Sequence, residues 1–176
     1  GNAADVTVSC KGSGTNAQVS GIVCYAGGEI ADCTNSGNIS MFSETAANAA
    51  DCGVKGTGVA GIACYMGWSN GVMTNCVNTG NVTLRAGFSV GYQTVGSATK
   101  YATNVAGVVG HAYKCGLADC KNTGKVTSII KKIDKAPDAG FNTSARQSCA
   151  GIVASSWGLV ERCNNEGAIE VVWTTE

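Results

Sequence analysis

The sequence predicts an all-β fold, a right-handed parallel β-helix of about four coils with long inter-coil loops. Three observations lead there. A short motif returns four times at a near-constant interval, apolar residues within each copy alternate with a period of two, and the composition favours turns and short strands over helices. The motif is Cys33-Thr34-Asn35-Ser36-Gly37-Asn38-Ile39-Ser40 within ADCTNSGNIS, and it comes back as TNCVNTGNVT, ADCKNTGKVT and ERCNNEGAIE.

The repeat is defined by two blocks. Gly21-Ile22-Val23-Cys24-Tyr25 is matched by Gly61-Ile62-Ala63-Cys64-Tyr65, Gly107-Val108-Val109-Gly110-His111 and Gly151-Ile152-Val153-Ala154-Ser155. The second block carries Cys33, Cys76, Cys120 and Cys163 at intervals of 43, 44 and 43 residues. Such regularity marks stacked units. One domain spans residues 1–176, with units at about 19–58, 59–104, 105–148 and 149–176.

Within a unit the elements follow in order. Ile22 and Cys24, then Cys33 and Asn35, then Ile39 and Met41 stand two apart, the strand period. A short turn at Ala26-Gly27-Gly28 separates the first strand from the second, and the Asn-x-Gly corner separates the second from the third. Three strands and two corners make one coil, each strand pairing with its counterpart in the next. Coils about 4.8 Å apart turn equal residues into ladders. Cys33, Cys76, Cys120 and Cys163 pack inside as small apolar residues, and Asn35, Asn78, Asn122 and Asn165 bond amide to amide. Glycine is expected at the corner for a backbone with positive φ. Ile39, Val82, Val126 and Ile169 are expected in the core, with Ser40, Thr83, Thr127 and Glu170 facing water.

Composition bounds the function. With 12 basic and 12 acidic side chains in 176 residues the net charge is zero, and the basic cluster at Lys131-Lys132-Ile133-Asp134-Lys135 is short and interrupted. Nothing here would hold a phosphate backbone, so no nucleic-acid partner is expected. With 25 glycines, one proline and few leucines the chain favours tight turns over long helices. No apolar run reaches the length of a membrane span and no signal peptide is visible, so the chain reads as a soluble mature piece of a longer protein without membrane insertion.

The two blocks together resemble the GLUG-type repeats, roughly Gly-Ile-Val-Gly-Tyr followed by Asn-Cys-x-Asn-x-Gly-x-Val. These occur in large bacterial cell-surface proteins and, outside the catalytic domain, in immunoglobulin A peptidases. The resemblance covers roughly two-thirds of the chain. It departs where Gly110 and Ala154 replace Cys24 and Cys64, where Ser155 replaces tyrosine, and in the long loops. It implies a surface-exposed β-solenoid with no settled activity.

Several side chains are candidates for chemistry. Ten cysteines lack the paired spacing and histidine of a zinc site, so no metal or cofactor is expected. Cys10 and Cys52 stand at similar distances before the first strands of the first two units and are the candidate disulfide, while Cys149 takes the place of Val19, Val59 and Val105. Asp32 and Asp119 share an outward position two coils apart, with Asn75 and Arg162 at the other rungs; a carboxylate pair about 10 Å apart could suit an inverting glycosidase, but scattered surface aspartates more often serve solubility, and that is the reading taken. His111, the single histidine, has no nucleophile beside it. Tyr25, Tyr65 and His111 form a column, with Trp68, Tyr113 and Trp157 on the following turn, and such rings bind sugars or protein partners when exposed. The loops at about 43–58, 86–104 and 129–148 leave one side of the stack and are the other place to look for binding. The acceptor-like triplets at Asn38, Asn81 and Asn142 read as coincidence of the strand pattern.

The expected function is therefore a non-enzymatic repeat module of an extracellular bacterial surface protein, adhesin-like or a stalk, that presents loops to host protein or glycan. End-to-end self-association through open coil ends is a further expectation. The alternative is a polysaccharide-active β-helix enzyme, hydrolase or lyase, or its inactive remnant.

Overall fold

The computed structural model describes residues 1–9, 18–43, 53–55, 58–67, 70–86, 88–90, 103–131 and 147–174. Cys10, Cys52 and Trp68, and most of the three long loops, lie outside these residues.

All described regular structure is β, and every strand pairing is parallel, which is the pattern of a β-solenoid wound into successive coils. Residues 1–9 contribute β1 (Val6–Ser9). Coil 1 then runs through β2 (Gln18–Ser20), β3 (Val23–Ala26), β4 (Ile30–Ala31), β5 (Thr34–Asn35) and β6 (Ile39–Ser43). Coil 2 repeats the series as β8 (Gly58–Ala60), β9 (Ala63–Met66), β10 (Val72–Thr74), β11 (Val77–Asn78) and β12 (Val82–Ala86), after β7 (Gly53–Lys55). After β13 (Phe88–Val90), coil 3 comprises β14 (Thr103–Ala106), β15 (Val109–Ala112), β16 (Gly116–Ala118), β17 (Lys121–Asn122) and β18 (Val126–Lys131). Coil 4 comprises β19 (Gln147–Ala150), β20 (Val153–Ser156), β21 (Val160–Glu161), β22 (Asn164–Asn165) and β23 (Ile169–Thr174).

Each coil thus has five strands where the sequence reading gives three. The extra breaks come from backbone reversals that period-two counting does not see. One is the Gly21-Ile22 kink between β2 and β3. Another is a residue in the left-handed region between β4 and β5: φ is 54° at Asp32, 51° at Asn75, 56° at Asp119 and 50° at Arg162.

The glycine expectation also needs correcting, because the corner glycines do not have positive φ. They are required for close approach instead: a Cβ on Gly80 would sit 2.0 Å from the carbonyl oxygen of Gly37. The left-handed work at the coil's turn is done by the column headed by Asp32, where short polar residues tolerate φ > 0.

Two apolar clusters fill the stack. Val19, Ile39, Met41, Val59, Val82, Leu84, Val105 and Val126 form one, between the β2-type and β6-type strands. Ile62, Met66, Met73, Cys76, Val108, Leu117 and Cys120 belong to the other, beneath the β3-, β4- and β5-type strands. Two placements differ from the sequence reading. Ile169, in coil 4, is 48% exposed because one face of its coil has no rung against it, and Thr127, in the middle of its sheet, is buried.

Candidate functional site

The asparagine corner carries a continuous hydrogen-bonded ladder through the four coils. Asn35 Nδ2 donates to Asn78 Oδ1, Asn78 to Asn122 and Asn122 to Asn165, each at 2.7 Å. The second proton of each of these amides closes its own corner, on Gly37, Gly80 and Gly124, and Asn165 does the same to Gly167. A fifth rung went unread in the sequence: Asn2 Nδ2 donates to Asn35 Oδ1 at 2.8 Å and to the Ala4 carbonyl. Asn2-Ala3-Ala4-Asp5-Val6 is a degenerate copy of Asn35-Ser36-Gly37-Asn38-Ile39, and β1 pairs with β6 accordingly. Only its asparagine and its β-branched residue match the other copies, which hid it.

This ladder also explains why the two repeat blocks travel together. A Cβ on Gly61 would lie 2.4 Å from the Asn78 side chain, and one on Gly107 would lie 2.3 Å from that of Asn122. The glycine that opens the first block is the floor on which the asparagine of the second block rests.

Among the described residues eight cysteines are free thiols, and six of them occupy two columns, with Cys115 and Cys149 outside both. In the first, Cys76 and Cys120 are buried, Cys33 and Cys163 are half-buried, and each of Cys76, Cys120 and Cys163 donates at 3.3 Å to the carbonyl two residues before it. In the second, exposed Cys24 stacks on buried Cys64, since Val23 pairs with Ala63 and Tyr25 with Tyr65. Among the described residues no group of three or more His, Cys, Asp or Glu is arranged to hold a metal.

The aromatic residues line up along the stack. Tyr25 lies on Tyr65 with ring centroids 4.5 Å apart and planes at 18°, and Tyr65 lies on His111 at 5.3 Å and 25°. Ser155 would end the column in coil 4, but the column shifts by two residues: His111 stands 6.4 Å from Tyr113, and Tyr113 packs 5.1 Å from Trp157. Lys114 Nζ caps the Tyr113 ring at 5.4 Å. The shift is coded by glycine. A Cβ on Gly67, which occupies the place of Tyr113, would meet the Tyr65 ring at 2.4 Å, so only glycine there lets Tyr65 lie flat.

Stacking has a functional consequence. Rings packed face to face present edges to solvent, whereas sugars and apolar partners seek faces. Among the described rings of the column Trp157 is 69% exposed and Tyr25 52%, and Leu159, near Trp157 in sequence, is 68% exposed. His111 is partly buried, and that burial lowers its pKa, which favours the neutral ring.

The two carboxylates of the shared outward column each have a partner along the stack. Asp119 is gripped by Arg162 through Nε at 2.7 Å and Nη2 at 2.9 Å, and Asp32 accepts from Asn75 Nδ2 at 2.6 Å. The guanidinium beside Asp119 holds its carboxyl below the usual carboxylate range, the opposite of what a general acid needs. Three of the four residues at this turn are Asp or Asn, which tolerate φ near 50° best, and Arg162 takes the same φ in coil 4.

Residues 101–127 match the family model described as the GLUG motif. They span β14 to the start of β18, one full coil with the glycine block, the cysteine and the ladder asparagine. Residues 101–127 carry a GLUG motif. Its register neighbours in coils 2 and 4 place equivalent residues on every strand, so the GLUG unit here is one turn of a parallel β-solenoid. GLUG motifs are typical of bacterial surface-associated proteins. No curated protein and no solved structure matches the chain.

Proposed function

We propose that this chain is a non-enzymatic module of a bacterial surface protein, located outside the cell, that presents the coil 4 end of its aromatic column to host protein or glycan. The observation that carries this reading is Trp157, 69% exposed yet braced at 5.1 Å by Tyr113. A ring fixed by stacking loses little side-chain freedom on binding, so its apolar face is available at low entropic cost. Leu159 and Val160 widen the apolar surface, and the Arg162, Glu161 and Asp119 ion pairs supply a polar rim. Asp119, held ionised by Arg162, does not suit the acid role that the polysaccharide-hydrolase alternative needs of one carboxyl.

A glycan and mucin array tests the reading, with the native chain beside Trp157→Ala. Binding that disappears in a variant whose circular dichroism is unchanged supports the recognition role. Binding that survives the substitution moves recognition to the loops, and silence on every glycan leaves a protein ligand or a stalk.

A further inference from the structure

The two cysteine columns differ in a way that packing alone does not explain. The column of Cys33, Cys76, Cys120 and Cys163 runs through all four coils with its inner members sealed in the core. The second column holds only Cys24 and Cys64, because coils 3 and 4 place Gly110 and Ala154 there. A Cβ on Gly110 would lie 2.6 Å from the Cys64 carbonyl oxygen, so the series stops at two.

Cys64 leans toward its partner. Its Sγ lies 3.2 Å from the Gly58 carbonyl of its own coil but 3.0 Å from the Val19 carbonyl of coil 1. The corresponding cross-coil approaches in the other column are longer, 3.9 Å from Cys76 to Ile30 and 3.8 Å from Cys120 to Met73. Neighbouring parallel strands stand about 4.8 Å apart, a Cα separation that a disulfide accepts. One thiol faces solvent and the other is buried behind it, the arrangement of an attacking and a resolving cysteine.

We propose that Cys24 and Cys64 are a thiol-disulfide exchange site that reacts with small disulfides and closes to an inter-coil bridge between coils 1 and 2. In the first step the Cys24 thiolate attacks one sulfur of a small disulfide, forming a mixed disulfide and expelling one thiolate. In the second step Cys64 releases its proton to solvent, its sulfur attacks Cys24 Sγ and the second thiolate leaves. One small disulfide is reduced to two thiols as two cysteine thiols are oxidised to one bridge. The neighbouring Cys64 thiol lowers the Cys24 pKa to about 6, and the pairing raises that of Cys64, which suits the first to attack and the second to wait. The Ser20 hydroxyl, 3.7 Å from Cys24 Sγ, adds to this stabilisation. Cys76 and Cys120 are out of reach of such a reagent while the coils are folded.

The test uses the folded chain, oxidised glutathione as the probe, and mass mapping with fragmentation under non-reducing conditions. The native chain is expected to lose two hydrogens and link Cys24 to Cys64 without retaining glutathione. Cys64→Ser is expected to trap one glutathione on Cys24, and Cys24→Ser to leave Cys64 unmodified. A native chain that keeps glutathione on Cys24, joins Cys24 to another cysteine, or leaves Cys24 unreacted overturns the proposal.

Discussion

Asn78 Nδ2 donates to Asn122 Oδ1 at 2.7 Å, although the two residues stand 44 positions apart in the chain. Asn78 is completely buried, and the amides of Asn35, Asn78 and Asn122 each donate one bond along the stack and one within their own corner, and accept one from the rung before. A buried amide is costly without partners, so the ladder holds only when its rungs are continuous. Asn78→Ala would strand a proton of Asn35, the Oδ1 of Asn122 and the Gly80 carbonyl, and is expected to lower stability by about 3 kcal/mol. Asn2→Ala, at the exposed end, is expected to cost about 1 kcal/mol. Urea titration of both variants decides the matter, and equal losses would mean that the ladder is not cooperative.

The turn at Asn75 permits a cleaner measurement of backbone cost. Its φ is 51°, and its amide bonds Asp32 across the coils. Asn75→Gly and Asn75→Val both delete that bond, so the difference between them isolates the left-handed conformation. Valine is expected to be about 1 to 2 kcal/mol less stable than glycine. Matching melting curves for the two variants would show that the turn relaxes.

Ser128 is a defect in an otherwise apolar column. It pairs with Leu84 on one side and Val171 on the other, is fully buried, and its hydroxyl has no hydrogen-bond partner among the described residues. Ser128→Val is expected to raise stability by about 1 kcal/mol, because the unpaired hydroxyl is removed and a methyl fills the place. A fall in the denaturation midpoint would show that the hydroxyl is satisfied in solution.

His111 makes the stack acid-sensitive. Its pKa is lowered by burial, so protonation is unfavourable in the folded state. The sign follows: the contribution is complete above the ordinary histidine range near 6.5 and is lost as pH falls below it toward the folded value. Native chain and His111→Phe compared by urea midpoints between pH 7 and pH 5 should diverge, with the native chain losing more. Parallel profiles would place the acid sensitivity elsewhere.

Much of this architecture was legible before any coordinates. The 43-residue recurrence of Cys33, Cys76, Cys120 and Cys163, with period-two alternation, leaves stacked coils of parallel strands as the arrangement that buries every copy alike. The GLUG resemblance was legible for the same reason, since the motif residues are the ones every coil needs. The degenerate rung at Asn2 was not, because only its asparagine and β-branched residue survive. Nor was the turn-forming role of Asp32 and Asp119, which read as solvated surface aspartates; φ does not appear in a residue's name.

Sequence by itself determined the repeat, its register and therefore which residues share a column, because a period fixes neighbours once strands stack in parallel. Tertiary structure decided what each column does. Whether Tyr25, Tyr65, His111, Tyr113 and Trp157 offer faces or edges depends on ring stacking and on the missing Cβ of Gly67. Whether a cysteine column is inert or reactive depends on which thiol reaches solvent and which leans across a coil, as Cys24 and Cys64 do. Such properties arise from distances between coils and from burial at the ends of the stack, which residue order alone does not encode.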